Sequence, residues 1–454
     1  MTQPGGLSYR DAVNALADRG RFGIRLGLGR IRALLGELGD PQQAMRGALV
    51  AGTNGKGSVL ALAASVLREA GYRVGETPKP HLVTYRERLQ IGGRPVDPAT
   101  FARLASEVLP VADRIAPRLG PPTEFELLIA MIFRWFAEER VDLALVEVGL
   151  GGRLDATHAW DGGVAVVTNV DLDHMDRLGP TVTAIAREKA AIIERGDLAV
   201  TGATGDALAV ITRRARRLAV PLTVVDAAPL VDLDRDGIVV ELPRLGRTRV
   251  GLRGRHQAEN LAVADALLDA LEAAGIATTT AAQRRAGYAA ASWPGRLELL
   301  DVAGRDVLLD GAHNPAGAAT LARAIDDLRP FLAGGHSTPP SRLTLVTASM
   351  RDKDVDGVIG ALATADALRG ARIICTQPDV PRALDATALA ARWRAGVPGI
   401  EPIVEPDAGA ALDQALSGPP GPVVVAGSLY LVGAARARLV DDPLLRDPED
   451  GSGR

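Results

Sequence analysis

At 454 residues, 47% hydrophobic and 24% charged, the chain has the length of two or three domains and enough apolar material for sizeable cores. A net charge of −3 and 3% aromatic residues give no electrostatic footprint for nucleic acid or an anionic membrane, and no base-stacking platform. One cysteine, Cys375, permits no internal disulfide; no apolar run suits a membrane span and residues 1–6 lack a signal core, so a soluble cytoplasmic protein is expected.

Positive charge is written almost wholly as arginine, 48 Arg against four Lys at Lys56, Lys79, Lys189 and Lys353. Lysine puts a compact charge on a thin stem where arginine presents a wide fork. These four positions therefore point to places that need the thin group.

In chain order, the apolar run 48–51 reads as a buried strand. Residues 59–70 then carry apolar positions at Val59, Leu60, Leu62, Ala63, Val66 and Leu67, a helix ended by Gly71 as C-cap. Between them lies Gly52-Thr53-Asn54-Gly55-Lys56-Gly57-Ser58. Strand, glycine-rich turn and helix form the context of a phosphate loop, with loop amides facing phosphates, Lys56 reaching the outer ones and Ser58 able to ligate Mg²⁺. Gly57 stands between Lys56 and Ser58, a departure from the general pattern, and a ligand-free turn is the plainer alternative.

The next strand, 141–147, ends in Glu147 and runs into Val148-Gly149-Leu150-Gly151-Gly152-Arg153-Leu154-Asp155. Ligands of open α/β sheets bind beyond the carboxyl ends of strands, so Glu147 lies where a phosphate-bound Mg²⁺ would sit; a solvated acid is the alternative. Strand 164–167 leads into Thr168-Asn169-Val170-Asp171-Leu172-Asp173-His174-Met175-Asp176, where His174 fits a metal ligand, a base or a histidine held in ion pairs. Glu188 and Lys189 follow on an amphipathic helix, and spacing alone reads them as surface charge.

After strand 198–201, residues 226–254 change to short polar–apolar alternation, consistent with a small antiparallel excursion. Ser292-Trp293-Pro294-Gly295-Arg296 marks a boundary, and strands at 307–309, 343–347, 372–376 (holding Cys375) and 423–426 follow, with a Gly/Ser/Pro-rich loop at 332–341. The alternation predicts an α/β protein of two domains. The first, 1–295, is a phosphate-loop ATPase-like, mostly parallel sheet with helices on both faces plus the antiparallel excursion. The second, 296–440, is a smaller Rossmann-like α/β domain, followed by a frayed tail at 441–454.

Together these segments resemble the folylpolyglutamate synthase/dihydrofolate synthase branch of the Mur ligase family, nearly end to end. The likeness rests on Leu26-Gly27-Leu28-Gly29-Arg30-Ile31, on 52–58, on Pro80-His81-Leu82-Val83 with Arg86-Glu87-Arg88, and on Thr123-Glu124-Phe125-Glu126. It continues through 147–157, His174, Glu188-Lys189-Ala190, His256-Gln257 with Asn260, and Pro294-Gly295-Arg296-Leu297-Glu298. It ends with Leu309-Asp310-Gly311-Ala312-His313-Asn314-Pro315, Asp352-Lys353-Asp354 and 427–433.

The resemblance implies ATP-dependent ligation of L-glutamate to a pteroate or folate carboxylate through an acyl phosphate, releasing ADP and phosphate. That covers folate polyglutamylation, dihydrofolate synthesis from dihydropteroate, or both. A Mur-type ligase on another carboxylate and a phosphate-loop ATPase or switch are the alternatives. By the same resemblance, Gly52, Thr53, Asn54, Gly55, Lys56, Gly57, Ser58, Asn260, Arg296 and Asp310 bind ATP. Leu26, Gly27, His81, Thr123, Glu124, Phe125, Glu126, Leu154, Asp155 and Ala156 bind the folate, and His313 and Ser428 the glutamate. Ser58 and Glu147 hold one Mg²⁺; His174, beside a Lys189 carbamylated by CO₂, holds a second. Lys56, His174 and Lys189 carry catalysis, and a monomer acting on small molecules is implied. Two departures stand out: Lys79 where the family has Ser, and His158 where it commonly has Asn, beside the implied pterin pocket.

Overall fold

The computed structural model describes residues 6–20, 25–333, 335 and 341–448; most of the 332–341 loop and the last six residues of the tail lie outside them. Eight strands form the first sheet: β1 (Gly47–Ala51), β2 (Val74–Thr77), β3 (Gln90–Ile91), β4 (Arg94–Pro95), β5 (Leu143–Glu147), β6 (Gly163–Val167), β7 (Leu198–Thr201) and β8 (Leu222–Val224). Their order is β4-β3-β2-β5-β1-β6-β7-β8, parallel except for the short pairings of β2 with β3 and β3 with β4. Strand β1 explains its own sequence. Ala48 and Val50 pack into the core on one face and Leu49 and Ala51 into the core on the other, so no position of the run faces water.

Register positions the chemistry. Val50 pairs with Glu147 of β5 and Ala51 with Val167 of β6. The phosphate loop, Glu147 and the 168–174 segment therefore leave the same sheet edge side by side. Helix Lys56–Glu69 follows the loop and is covered by helices Gln257–Ala273 and Ala281–Ala290. Residues 230–250 form the antiparallel excursion as β9 (Leu230–Asp234), β10 (Gly237–Leu242) and β11 (Gly246–Val250).

A second sheet contains β12 (Glu298–Val302), β13 (Arg305–Asp310), β14 (Thr344–Thr347), β15 (Arg372–Gln377), β16 (Ile403–Asp407) and β17 (Val423–Ala426). The order is β12-β13-β17-β14-β15-β16, with only β12 and β13 antiparallel, and Cys375 is buried in β15. The antiparallel excursion is tied to the second sheet by Arg235–Asp306 at 2.6 Å, and the loop before helix Gln257–Ala273 to helix Pro315–Leu328 by a two-point Arg255–Asp327 pair. Both arginines are substantially exposed, so each tie orients more than it stabilises.

The tail corrects the expectation of fraying at 441–448. Asp447 accepts hydrogen bonds from Thr84 Oγ1 at 2.7 Å and Arg86 Nε at 3.1 Å, and Arg86 also reaches the Arg446 carbonyl at 2.9 Å. Arg86 is 3% exposed, and a buried guanidinium requires such acceptors. Residues 449–454 lie outside the described residues.

Candidate functional site

A cleft of about 660 Å³ opens at the carboxyl edge of the first sheet, and loops of the second sheet close it. The phosphate loop forms its floor. Lys56 Nζ donates to the carbonyls of Gly52 (3.0 Å) and Thr53 (3.1 Å), which folds the ammonium back over the loop. Asn169 fixes the loop from the next strand: its Oδ1 accepts from Asn54 N at 2.9 Å and its carbonyl from Thr53 N at 3.0 Å. Gly55 has φ +80°, a conformation that favours glycine, and a Cβ there would collide with Asn260 Oδ1. Asn260 thereby lies against the loop, held by Gln257 at 2.9 Å. A Cβ at Gly57 would strike Trp293.

Glu147 stands at the cleft wall, 5% exposed. Burial pushes its carboxyl above the usual range against the pull of Lys56, Lys79 and Arg296. Lys79 donates its backbone N–H to Glu147 Oε2 (3.2 Å) and its ammonium to the Glu147 carbonyl (2.6 Å). Ser58 and Glu147 both line the cleft and supply the oxygen donors a hard dication takes. Among the described residues no cluster of three His, Cys, Asp or Glu groups converges. A Mg²⁺ here would complete its shell from phosphate and water, which suits a nucleotide-bound ion.

A smaller recess adjoins the loop, lined by Gly52, Lys56, His174 and Lys189. Lys189 is 5% exposed and donates to the Gly52 carbonyl at 2.8 Å, so it is not the surface charge its spacing suggests. Burial, reinforced by Lys56, pulls its amine down to about 7. His174 has left-handed backbone (φ 48°) and its Nε2 lies 3.8 Å from Asp173 Oδ2; burial lowers its pKa while Asp173 opposes. Glu188, next to Lys189, pairs outward with Arg153 at 2.9 Å.

On the far side of the cleft, Thr123 and Glu126 cap helix Glu124–Glu138 reciprocally, and Arg30 holds Glu126 Oε2 at 3.0 Å. Asp155 accepts from Leu150 N (2.8 Å), Thr157 N (3.0 Å) and Thr157 Oγ1 (2.6 Å). Leu26, Gly27, Glu124, Phe125, Leu154 and Ala156 line the same wall, and Gly27 N donates to the Leu154 carbonyl at 3.2 Å. Two expectations change here. His81 does not line the cleft: its ring stacks on Tyr85 with centroids 4.5 Å apart, and its Nδ1 accepts from Arg88 Nε at 2.9 Å. Burial, helped by Arg88, lowers it to about 3, so it stays neutral and orients Arg88. His158 turns away from the cleft, toward the Arg153 carbonyl (3.3 Å) and the Glu194 carboxylate (3.4 Å).

From the second unit come Arg296 and His313, both at the cleft. Asp310 lies behind them, its carboxylate accepting from Leu297 N and Ala312 N, each at 2.9 Å. It thus shapes the turn that presents Arg296. His313 Nδ1–H donates to the Gly311 carbonyl at 2.8 Å. Ser428 is 2% exposed, its hydroxyl meets no partner among the described residues, and Leu429 beside it reaches the cleft instead. Arg88, Trp293, Asn314 and Arg382 also line the cleft without having been picked from sequence. The Arg86-Glu87-Arg88 and His313-Asn314 runs carried a signal for two of them; Arg382, stacked 5.3 Å over Tyr430, carried none.

Residues 50–268 match the Mur ligase middle domain, and residues 295–429 the glutamate ligase domain of Mur ligases. The chain is 34% identical over 450 residues to the dihydrofolate synthase/folylpolyglutamate synthase of Bacillus subtilis, covering 95% of this chain and 99% of that one. It is 36% identical over 444 residues to a bifunctional folylpolyglutamate synthase/dihydropteroate synthase of Haloferax volcanii, spanning 95% of itself but only 50% of that relative. Mycobacterium tuberculosis folylpolyglutamate synthase complexed with ADP and AMPPCP superposes with a TM-score of 0.82 at 33% identity, over 95% of this chain and 100% of that one. A bifunctional folylpolyglutamate synthase/dihydrofolate synthase with Mn, AMPPNP and L-glutamate bound gives 0.78 at 27% identity, over 94% and 98%.

Proposed function

Since the chain belongs to the Mur ligase family, in its folylpolyglutamate synthase/dihydrofolate synthase branch, we propose that it joins L-glutamate to the carboxyl group of dihydropteroate or a reduced folate by way of an acyl phosphate. It is an acid–amino-acid ligase that uses ATP and a divalent metal. One observation carries the reading. A single cleft holds the phosphate loop, Glu147, the 123–126 and 154–156 wall, and Arg296 and His313 from the second unit. A triphosphate, a folate carboxylate and an amine all have to meet in one such place.

The chemistry follows from the poor acceptor. A carboxylate would have to expel oxide, so one of its oxygens first attacks the γ-phosphorus of ATP and the bond to ADP breaks. The glutamate amine then attacks the acyl carbon, phosphate leaves, and the amine proton passes to water. The loop amides and Lys56 hold the triphosphate, and Arg296 covers it from the second unit, so catalysis is positioning plus charge neutralisation. Ser58 and Glu147 would hold a Mg²⁺ that neutralises phosphate charge, and His174 with a carbamylated Lys189 a second. Carbamylation is supported by the lowered Lys189 amine, because only the neutral amine attacks CO₂. His313 and the Ser428 segment face the glutamate.

Residues 1–295 and 296–440 act as the two halves of a monomer in the cytoplasm, in this reading; among the described residues no helix is long and apolar enough to cross a membrane. The test is glutamate-dependent phosphate release with dihydropteroate and a reduced folate in separate reactions, products checked by mass. Turnover with either supports the assignment and tells which reaction is run. Release indifferent to glutamate overturns it.

A further inference from the structure

Lys79 stands in the cleft with its amine touching no carboxylate among the described residues. Its Nζ donates to a backbone carbonyl, that of Glu147 at 2.6 Å, and lies 4.2 Å from the centroid of the Phe125 ring. Among the described residues it makes no ion pair. Asp155 and Glu147 attract it without touching it: Asp155 is held by Leu150 and Thr157, and Glu147 Oε2 by the Lys79 backbone N–H. Arg88 and Lys56 face it as like charges. An ammonium carries three donors, and a carbonyl with a ring face leaves at least one for a ligand. Its place decides which ligand. On one side stands the phosphate loop with Lys56; on the other stand Phe125 and Asp155 of the opposite wall.

Resting on the folate-ligase reading, we propose that Lys79 is the positioning counter-ion of the acceptor carboxylate, holding it against the γ-phosphate. Two anions must be brought together before phosphoryl transfer, and their repulsion opposes the approach. A fixed ammonium on a short tether, braced by Phe125, lowers that repulsion without an ion having to be captured. An apolar residue of the same length would keep the packing on Phe125 and lose only the charge.

The experiment measures equilibrium binding to the full chain, with ADP present, by quenching of pterin fluorescence. The probes are dihydropteroate and the same molecule lacking its carboxyl group, each with the parent and with Lys79→Met. The parent should favour the carboxylated probe by about 10- to 100-fold, the worth of a charge-assisted hydrogen bond. In Lys79→Met that preference should vanish, with affinity for the decarboxylated probe and for ADP unchanged within about twofold. Equal weakening of both probes, or a preference that survives, overturns the proposal. Loss of AMPPNP affinity relative to ADP with the preference intact assigns Lys79 to the phosphate and overturns it too. A parent that binds neither probe refutes the folate reading itself.

Discussion

Lys189 and Lys56 donate to the same acceptor, the Gly52 carbonyl, at 2.8 and 3.0 Å. Burial disfavours the charge of Lys189, and the neighbouring Lys56 ammonium adds to it. The phosphate loop is thus coupled to the residue beneath it. Converting Lys189 to an anionic carbamate would replace this repulsion with an attraction to Lys56.

Lys189→Ala should lower turnover by ~100-fold or more, the scale of losing a charge aimed at the reacting groups. Short carboxylic acids added to the variant should restore part of it, and stripping CO₂ should slow the parent alone. Activity indifferent to the substitution would remove the carbamate from the account.

Gly55→Ala should weaken nucleotide binding more than it weakens the fold. The left-handed backbone at this position costs a non-glycine residue ~1–2 kcal/mol, and the new methyl group must displace Asn260. Titration calorimetry with ADP should show at least a tenfold loss (~1.4 kcal/mol). A normal ADP affinity would mean that Asn260 does not brace the loop.

Asp197 gives a pH signature far from the cleft. Its Oδ1 meets no donor and its neighbour is the Asp161 carboxyl, so a hydrogen bond between them needs a proton. Burial, with Asp161 adding to it, raises Asp197 to about 7. The folded state therefore binds more protons than the unfolded one between the ordinary carboxylate range and pH 7, and stability falls as pH rises through that window. Asp197→Asn supplies the missing donor permanently and should be more stable than the parent at pH 8, by ~1 kcal/mol or more. Thermal unfolding at pH 5 and pH 8 checks it; parallel shifts at both would refute the shared proton.

Arg86→Met should destabilise the fold by ~2–4 kcal/mol, because Asp447, the Arg446 carbonyl and the Val96 carbonyl all lose their donor. Asp447→Asn should cost less, since Asp447 is 42% exposed. If both leave denaturant midpoints unchanged, the tail is not anchored as described.

Strands buried on both faces are legible in the sequence. The apolar runs at 48–51, 164–167 and 423–426 mark β1, β6 and β17 to within a residue. Strands β3 and β4 have two residues each, and β16 is largely exposed, so neither hydrophobic run nor alternation announces them. The phosphate loop and Glu147 are legible because their chemistry is local to a strand end. Lys189 is not: its helix looks amphipathic and solvated, yet its amine is buried and bonded to the Gly52 carbonyl of the distant loop. Adjacency misleads at His158, which follows the cleft-lining Asp155 and Ala156 yet faces the other way. Arg382 arrives from a separate loop through the fold alone.

In the proposed reaction the folate carboxylate itself takes the phosphoryl group. This is tested most directly by running one turnover with dihydropteroate whose carboxyl oxygens are ¹⁸O, and measuring the isotope in the released phosphate. One labelled oxygen should pass into each phosphate, because the acyl phosphate breaks at the acyl carbon. Unlabelled phosphate released alongside the amide product would contradict it.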